Sequence, residues 1–438
     1  MSAFMLHSRR HFLGFLLGCH HYSSSAPSLK LNRALLVSKL SRYELESLRF
    51  KDIDQTQLEK KLRNRGSDYE LLIHHHEVHK SFEKSVIDVL KNKNVDIRLV
   101  PRLCCRFKLT QDDISWADVI FSLGGDGTFL MVASSVLGNS KPVVGFNSDP
   151  TRSEGHLCLP KRYSTNLEEA IYKLTHVCDG RVSDGGAEIV GFIYELSDNA
   201  AIFDSVGEFK WMFRSRIRIT LSGEFIDEQP VELQEELLHP DRRIYNCTAA
   251  PVEKRVFIDS ALPESTRVLP VFALNEVFLG ESLSARVSYF ELSLDGGPFT
   301  KIKSSGLCVT TGTGSTSWHL SINRVDQQTV AKLAALLGNK LSPEQVPAIT
   351  KSYNDSLVFS PENPQISYTI RDNICASVWP HPKGIESRGF ASQIIIRSRC
   401  FDAVLVIDGR VSFKFNDGTV AKLEIHESDS LRTVILNE

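Results

Sequence analysis

The sequence predicts an α/β protein, with a parallel-sheet domain in the first half of the chain and a β-rich domain in the second. Before about residue 180, short apolar runs alternate with polar helical stretches, which is typical of parallel strands joined by crossover helices. After that point, short runs alternate apolar and polar residues, as antiparallel strands with one buried face do. The chain has 438 residues, which at about 100–200 residues per domain suits two or three domains.

Five apolar runs predict the strands of the first half. They are Ala34–Val37, Glu70–Ile73, Asp96–Val100, Asp118–Leu123 and Pro142–Phe146. The polar stretches between and after them predict helices at about 41–62, at about 78–92, at Gly127–Leu137 and at Leu167–Leu174. The run that ends at Leu123 is continuously apolar, which indicates a parallel strand buried on both faces.

The second half predicts antiparallel strands and one helix. The strands are Arg216–Leu221, Ser284–Leu294, Gln365–Ile370, Gln393–Arg397 and Ala403–Ile407, and the helix is Val325–Leu337. Residues 224–267 are rich in Glu, Pro and Arg with weak periodicity, which predicts a surface loop or insertion. We therefore assign residues 29–180 to the parallel-sheet domain and residues 181–438 to the β-rich domain.

The start of the chain is basic and contains no acidic residue before Glu44. Basic, serine-containing and acid-poor starts are typical of mitochondrial transit peptides. A secretory signal and a disordered basic tail are the alternatives, although the apolar run Phe12–Leu17 is short and interrupted by Gly14. We expect residues 1–28 to be a transit peptide for the mitochondrial matrix, because Ala34–Val37 already resembles a buried strand.

Composition excludes several classes of function. Lys and Arg number 51 against 53 Asp and Glu, a net charge of −2, so no general electrostatic force draws the chain to nucleic acid or to an anionic membrane. No run approaches the roughly 18 apolar residues of a membrane span. The nine cysteines are irregularly spaced without a C-x-x-C, which predicts neither a disulfide framework nor a zinc site.

The glycine motif Gly124–Thr128 follows the predicted strand that ends at Leu123 and opens the next predicted helix. Helix N-termini offer free N–H groups to anions, and glycines let the backbone approach phosphates closely. Asp126 could take a proton from a hydroxyl or organise a metal, and Thr128 could donate to a phosphate. A tight turn with an Asp cap is an equally open alternative. The motif is not a Walker A loop, because no Gly-Lys-Ser/Thr follows.

Three further polar clusters follow the glycine motif. Asn147 ends the next predicted strand and would project into the same crevice, or else is a turn residue before Pro150. The Asn275-Glu276 pair interrupts an apolar strand and could bind hydroxyl and amide groups, unless the strand is a solvent-facing edge. Residues 310–318 are glycines and small hydroxyl residues ending in a Trp, which could surround a nucleotide or form a flexible linker.

Together and in this order, the four clusters resemble the NAD kinase family. The glycine motif alone is shared with lipid kinases, but the combination is much more specific. Residues 147–160, 274–284 and 303–307 most resemble the mitochondrial members from animals, and the resemblance spans about residues 33–420. It implies a Rossmann-like parallel-sheet domain followed by a β-rich domain, the fold of NAD kinases and diacylglycerol kinases.

The resemblance also implies an activity: phosphorylation of NAD by ATP at the 2′-hydroxyl of its adenosine ribose, giving NADP. Mg²⁺ would accompany ATP, no residue is assigned as a metal ligand, and a homodimer is implied. Asp126 corresponds to the catalytic base. Residues at the phosphates of ATP would be Gly124, Gly125, Gly127 and Thr128, and residues at NAD would be Asn147, Asn275, Glu276, Thr313, Ser315, Thr316, Ser317 and Trp318.

Two rival functions share parts of this pattern. A lipid kinase of the diacylglycerol or sphingosine type also has the Asp-bearing glycine loop, but it needs an apolar face for acyl chains and has no need of the Asn275-Glu276 pair. A catalytically silent nucleotide sensor could keep the binding residues, although the presence of Asp126 argues against it. We expect NAD and ATP as partners, and neither nucleic acid nor membrane.

Overall fold

The computed structural model describes residues 29–101, 109–175, 209–223, 230–233, 266–338, 341–374 and 385–436. The predicted transit peptide, residues 1–28, lies outside the described residues. So do the predicted domain boundary near residue 180 and most of the predicted insertion 224–267. None of the helices within the described ranges is long and apolar enough to cross a membrane.

The first unit is a parallel sheet, as the sequence predicts, with four strands in the order β2-β1-β3-β4. The sequence analysis gave five strands and no strand order. Its strands are β1 (Arg33–Ser38), β2 (Asp96–Pro101), β3 (Val119–Gly124) and β4 (Val143–Asn147). Its helices are α1 (Arg42–Arg49), α2 (Gln55–Asn64), α3 (Tyr69–Asn92), α4 (Gln111–Trp116), α5 (Asp126–Ser135) and α6 (Leu167–Thr175), with a 3₁₀ turn at Lys161–Ser164.

Helices cover both faces of this sheet. Leu36 and Phe121 pack on one face against apolar residues of α3 and α6. Their neighbours Leu35 and Ile120 pack on the other face against α4 and α5. Because successive side chains of a strand point to opposite faces, burial on both sides requires continuous apolar runs.

Two of the predictions for the first half are wrong. Glu70–Ile73 is not a strand but the first turn of α3, whose N-cap Asp68 accepts a hydrogen bond from the Leu71 N–H at 2.9 Å. A short apolar run fits a buried helix as well as a strand. The predicted helix at 41–62 is two helices, because Asp54 starts a second one by accepting from the Gln57 N–H at 2.8 Å.

The second unit is built of antiparallel sheets, which confirms the predicted β-rich domain. One sheet has the order β11-β10-β15-β18-β6-β8, another β14-β13-β12-β9-β16-β17-β7, and β19 pairs with β5. The strands are β5 (Phe209–Arg214), β6 (Ile217–Ser222), β7 (Val231–Glu232), β8 (Thr266–Val268), β9 (Glu276–Glu281), β10 (Ser288–Leu294), β11 (Thr300–Ser304), β12 (Gly306–Thr310), β13 (Ile366–Arg371), β14 (Arg388–Ala391), β15 (Gln393–Ser398), β16 (Ala403–Ile407), β17 (Val411–Lys414), β18 (Val420–Ile425) and β19 (Leu431–Leu436).

The two larger sheets share one apolar core, to which Ile219 and Ile394 contribute from the first sheet and Leu279 and Leu405 from the second. Helices α7 (Trp318–Asn323), α8 (Gln327–Leu336) and α9 (Gln345–Asp355) lie between β12 and β13 in the chain. The sequence analysis predicts α8 alone among these three and misses α7 and α9.

Two arginines of the β-rich unit hold the C-terminal end of α5, the helix that begins at the glycine motif. Arg410 donates to the carbonyl of Met131 at 3.2 Å. The buried guanidinium of Arg216 donates to the carbonyls of Ala133, Val136, Gly138, Asp429 and Ser430. Because free carbonyls and the negative end of the dipole lie at a helix C-terminus, cations are stabilising there. The β-rich unit therefore fixes the position of α5.

Candidate functional site

The glycine motif lies at the carboxyl edge of the parallel sheet, where the sequence places it. Strand β3 ends at Gly124, Gly125 is the N-cap of α5, and Asp126 is the first helical residue. A Cβ at Gly124 would lie 2.3 Å from the Thr128 hydroxyl, so no side chain fits there. Thr128 is buried and Gly127 is exposed. Their contacts with the phosphates of ATP stay predictions.

The carboxylate of Asp126 is held by the loop after β4. Its two oxygens accept hydrogen bonds from the backbone N–H groups of His156 at 3.1 Å and Leu157 at 2.9 Å. These two hydrogen bonds fix the orientation of the carboxylate. The role of Asp126 as the catalytic base stays a prediction.

Asn147 shapes that loop. It ends β4 directly opposite Gly124 in the neighbouring strand. Its amide donates to the Ser153 carbonyl at 2.9 Å, and its oxygen accepts from the Asp149 N–H at 3.1 Å. Gly155 has a φ of 69° and leaves no room for a side chain above this amide. The structure thus places Asn147 beside the glycine motif with its side chain bonded to the following loop, as a turn residue would be. Its contact with NAD stays a prediction.

The Asn275-Glu276 pair lies at the start of β9, which runs between β12 and β16. The edge-strand alternative is therefore wrong. Both side chains are buried, and the amide of Asn275 donates to the Ser317 hydroxyl at 3.2 Å. Within the described residues, the Asn275 Oδ1 and Glu276 Oε2 atoms have no hydrogen-bond partner. Buried polar atoms are rarely left unpaired, so these two favour a ligand site.

Residues 310–318, which we call the hydroxyl loop, are bonded to the backbone of that pair. The Thr310 hydroxyl donates to the Asn275 carbonyl at 2.9 Å, and the Thr311 hydroxyl donates to the Leu274 carbonyl. The loop continues as a 3₁₀ turn, Thr313–Thr316, and then enters α7. These bonds exclude the flexible-linker alternative.

The hydroxyl loop has a buried side and an accessible side. Ser315 is fully buried, and its hydroxyl donates to the Gly312 carbonyl at 2.6 Å. Thr313 is also buried, whereas Thr316 is exposed and Ser317 is partly exposed. Trp318 stacks on Phe278 with ring centres 4.5 Å apart. The contacts of all five residues with NAD stay predictions.

Replacing Gly314 by alanine is expected to lift the hydroxyl loop off the Asn275-Glu276 pair. The added Cβ would lie 2.1 Å from the Asn275 carbonyl oxygen and 2.4 Å from the Thr310 hydroxyl. We expect a loss of about 1–3 kcal/mol in the free energy of unfolding, typical of overpacking, and at least about tenfold weaker NAD binding. Urea unfolding and calorimetry measure the two effects.

The stability control is Gly127→Ala, where an added Cβ meets no atom within 4 Å. Its melting temperature should equal that of the wild type. An unchanged unfolding midpoint together with unchanged NAD affinity in Gly314→Ala would contradict the role of this close approach.

Arg214, at the end of β5, contacts the hydroxyl loop, and the charge of Asp126 in the glycine motif acts on it. It donates to the Thr313 hydroxyl at 3.3 Å, and its buried Nε has no hydrogen-bond partner among the described residues. Burial lowers the pKa of Arg214 to about 10, while Asp126 and Glu362 favour its charged form. It is therefore cationic at neutral pH. The sequence analysis missed it, because no local motif marks an arginine so far along the chain from Asp126.

A cavity of about 520 Å³ opens near the glycine motif, between the segment after β1 and helix α3 with the loop that precedes it. Its lining includes Lys39, His75 and Arg152. The Lys39 N–H donates to the Leu123 carbonyl at 2.8 Å, which joins the cavity to the end of β3. Such a basic lining suits a phosphate chain. The sequence analysis did not find this cavity, because its residues belong to no motif.

The fold and the site are those of a nucleotide-binding kinase: an Asp-bearing glycine loop lies at a helix N-terminus, and the β-rich unit carries a buried polar pair. No protein-family model matches the chain. "NAD kinase 2, mitochondrial" of Rattus norvegicus is 39% identical over 417 residues, which cover 93% of this chain and 88% of that protein. The Homo sapiens protein of the same name is 39% identical over 433 residues, covering 97% and 88%. The chain belongs to the NAD kinase family.

A solved structure, of yeast NADH kinase complexed with NADH, is also similar to the chain. It covers 93% of this chain and 84% of its own, with a TM-score of 0.46 and 14% identity. A likeness this low leaves the site to be argued from the residues themselves.

Proposed function

We propose that this protein is an NAD kinase, which transfers a phosphoryl group from ATP to the 2′-hydroxyl of the adenosine ribose of NAD and so forms NADP. Membership of the family supports the activity. The observation that carries the proposal within the site is Arg214, which hydrogen-bonds Thr313 and is attracted by Asp126. A phosphoryl group passing between the glycine motif and the hydroxyl loop would meet both a base and a cation there.

The β-rich side suits NAD as the acceptor. Asn275 and Glu276 present unpaired polar atoms to a ligand with hydroxyl and amide groups. We propose that these two residues hold NAD together with Asn147 and Thr313 and with the segment Ser315–Trp318. Asp126 then accepts the proton of the 2′-hydroxyl, because an alcohol is a poor nucleophile unless a base removes that proton.

The parallel-sheet side suits MgATP as the donor. We propose that Gly124, Gly125, Gly127 and Thr128 contact the phosphates, and that the basic cavity beside them receives the rest of the nucleotide. Mg²⁺ arrives with ATP, since it prefers phosphate oxygens and one or two carboxylates. Asp126 is the carboxylate next to that position. Among the described residues, no group of three or more His, Cys, Asp or Glu side chains is placed to hold a metal ion.

The test is to incubate the full chain with MgATP and NAD and to measure NADP with an NADP-specific dehydrogenase. We expect NADP to form and its formation to stop when Mg²⁺ is chelated. Parallel reactions replace NAD by NADH, ATP by inorganic polyphosphate, and NAD by diacylglycerol or sphingosine. Absence of NADP would reject the proposal, and phosphorylation of a lipid without NADP would favour the lipid-kinase alternative.

Location and assembly are further parts of the proposal. We propose a mitochondrial matrix enzyme, because the relatives are named mitochondrial and the first 28 residues have the composition of a transit peptide. We also propose the domain division at about residue 180, and a homodimer. Import of a reporter fused to the first 30 residues into mitochondria tests the proposed location. Sedimentation equilibrium of the processed chain tests the proposed homodimer.

A further inference from the structure

Two carboxylates, those of Asp408 and Glu276, lie together on the NAD side of the site. Asp408 follows β16 at a φ of 48°. Its carboxylate accepts three backbone hydrogen bonds, from the N–H groups of Leu274 at 2.9 Å, Asn275 at 2.8 Å and Glu276 at 3.1 Å. Its own N–H donates to the Glu276 carbonyl at 2.9 Å. Asp408 therefore fixes the backbone from which the Asn275-Glu276 pair projects.

The surroundings of the two carboxylates differ. Three N–H donors stabilise the ionised form of Asp408, and the charge of Arg410 does the same. Glu276 is buried, its Oε2 has no partner, and no ion pair involves it within the described residues. On the neighbouring strand β12, burial raises the pKa of the Cys308 thiol although the nearby Arg371 opposes the rise, so this thiol is neutral. The negative charge of the pair thus belongs on Asp408 and a proton on Glu276.

The pKa values agree with this division. Burial and the charge of Asp408 raise the pKa of Glu276 to about 8. Burial also raises the pKa of Asp408, but only to about 6, because its three N–H donors oppose the rise. Between these two values the pair holds one proton and one negative charge.

We propose that Glu276 binds NAD as a neutral carboxylic acid that donates a hydrogen bond, and that Asp408 is the positioning residue that keeps the proton on it. This inference rests on the proposed function, since NAD is the ligand assigned to the site. A neutral acid adds no negative charge to a site whose ligand carries a pyrophosphate. It also offers a donor where the neighbouring Asn275 Oδ1 offers an acceptor.

The proposal predicts the direction in which NAD affinity changes with pH. A ligand that binds only the protonated form raises the pKa of Glu276 in the complex. NAD affinity is then constant below the free-protein pKa and falls above it, toward about tenfold per pH unit. Between pH 7 and pH 9 we expect the Kd for NAD to rise about tenfold, and binding at pH 8 to take up about half a proton.

The test is calorimetry of NAD binding to the full chain from pH 6.5 to pH 9, in two buffers of different ionisation enthalpy. Glu276→Gln imitates the neutral acid, so its Kd at pH 7 should stay within a few-fold of wild type, without pH dependence or proton uptake. Asp408→Asn removes the adjacent charge, so affinity should begin to fall at a lower pH than in wild type. A merely structural Asp408 would change affinity by the same factor at every pH, which would overturn its assigned role.

The matched control is Glu281→Gln, at the far end of β9, where the carboxylate accepts from the Phe401 N–H at 3.1 Å. It should leave the pH profile unchanged. Two results together would overturn the inference: Glu276→Gln binds NAD more than 100-fold more weakly at pH 7, and wild-type affinity stays constant or rises with pH. Glu276 would then bind NAD as an ionised carboxylate. NADP formation by the same wild-type sample separates that result from failure of the proposed function.

Discussion

Replacing Asp126 by asparagine is expected to lower kcat for NADP formation by about 10²–10⁴-fold, the usual contribution of a positioned base. The KM values for NAD and ATP should change much less, because the glycine motif and the Asn275-Glu276 pair remain. Asparagine keeps the size of the side chain but cannot take the proton of the 2′-hydroxyl. Steady-state kinetics with MgATP and NAD measure the change.

The same substitution has a smaller structural effect that must be separated from the chemistry. Asp126 accepts from two N–H groups, and asparagine can satisfy only one of them, which costs about 1–3 kcal/mol. The melting temperature reports that loss. Asp112→Asn, an exposed change of the same kind on α4, is the control and should leave kcat unchanged. Near-normal turnover in a folded Asp126→Asn protein would mean that another group is the base.

The parallel sheet could be predicted from the sequence because its burial requires a pattern that is visible within a few consecutive residues. A strand covered on both faces needs consecutive apolar residues, and β1, β3 and β4 all have them. The same rule fails at Glu70–Ile73, since four residues are too few to separate a strand from a helix buried along one side. The decisive signal there is the apolar spacing through Phe82, Val86 and Leu90, which lies outside any short window.

The motifs of the site could be predicted, but not the residues that join them. Gly124–Thr128 and the hydroxyl loop can be recognised from their residue composition. Arg214 and Asp408 do not, because each acts on residues far away along the chain: Arg214 on Thr313, and Asp408 on Asn275. Such contacts depend on strand order, and single-sequence patterns do not specify which strands of a β-rich unit become neighbours.

Of the substitutions proposed here, Arg216→Met is expected to lower the free energy of unfolding the most. Burial lowers the pKa of Arg216 to about 10, so the side chain is a buried cation, and its charge is balanced by the carbonyls at the end of α5. Methionine fills similar space but leaves those carbonyls without a donor. Breaking a buried polar cluster of this kind costs about 3–5 kcal/mol in the free energy of unfolding. Urea unfolding followed by tryptophan fluorescence measures it.

The loss should reach the active site as well, because Arg216 fixes the helix whose first residue is Asp126. Without the clamp α5 is free to shift along its axis, and kcat should fall in the protein that remains folded. Arg216→Lys, with three donors on one nitrogen, should be intermediate. Arg286→Met is the control. Within the part of the chain that the structure describes, the ion pairs of this half-exposed arginine are long, at 3.8 and 3.9 Å, and worth less than about 1 kcal/mol. If the free energy of unfolding of Arg216→Met lies within about 1 kcal/mol of the wild-type value, the carbonyls find other donors and Arg216 does not position α5.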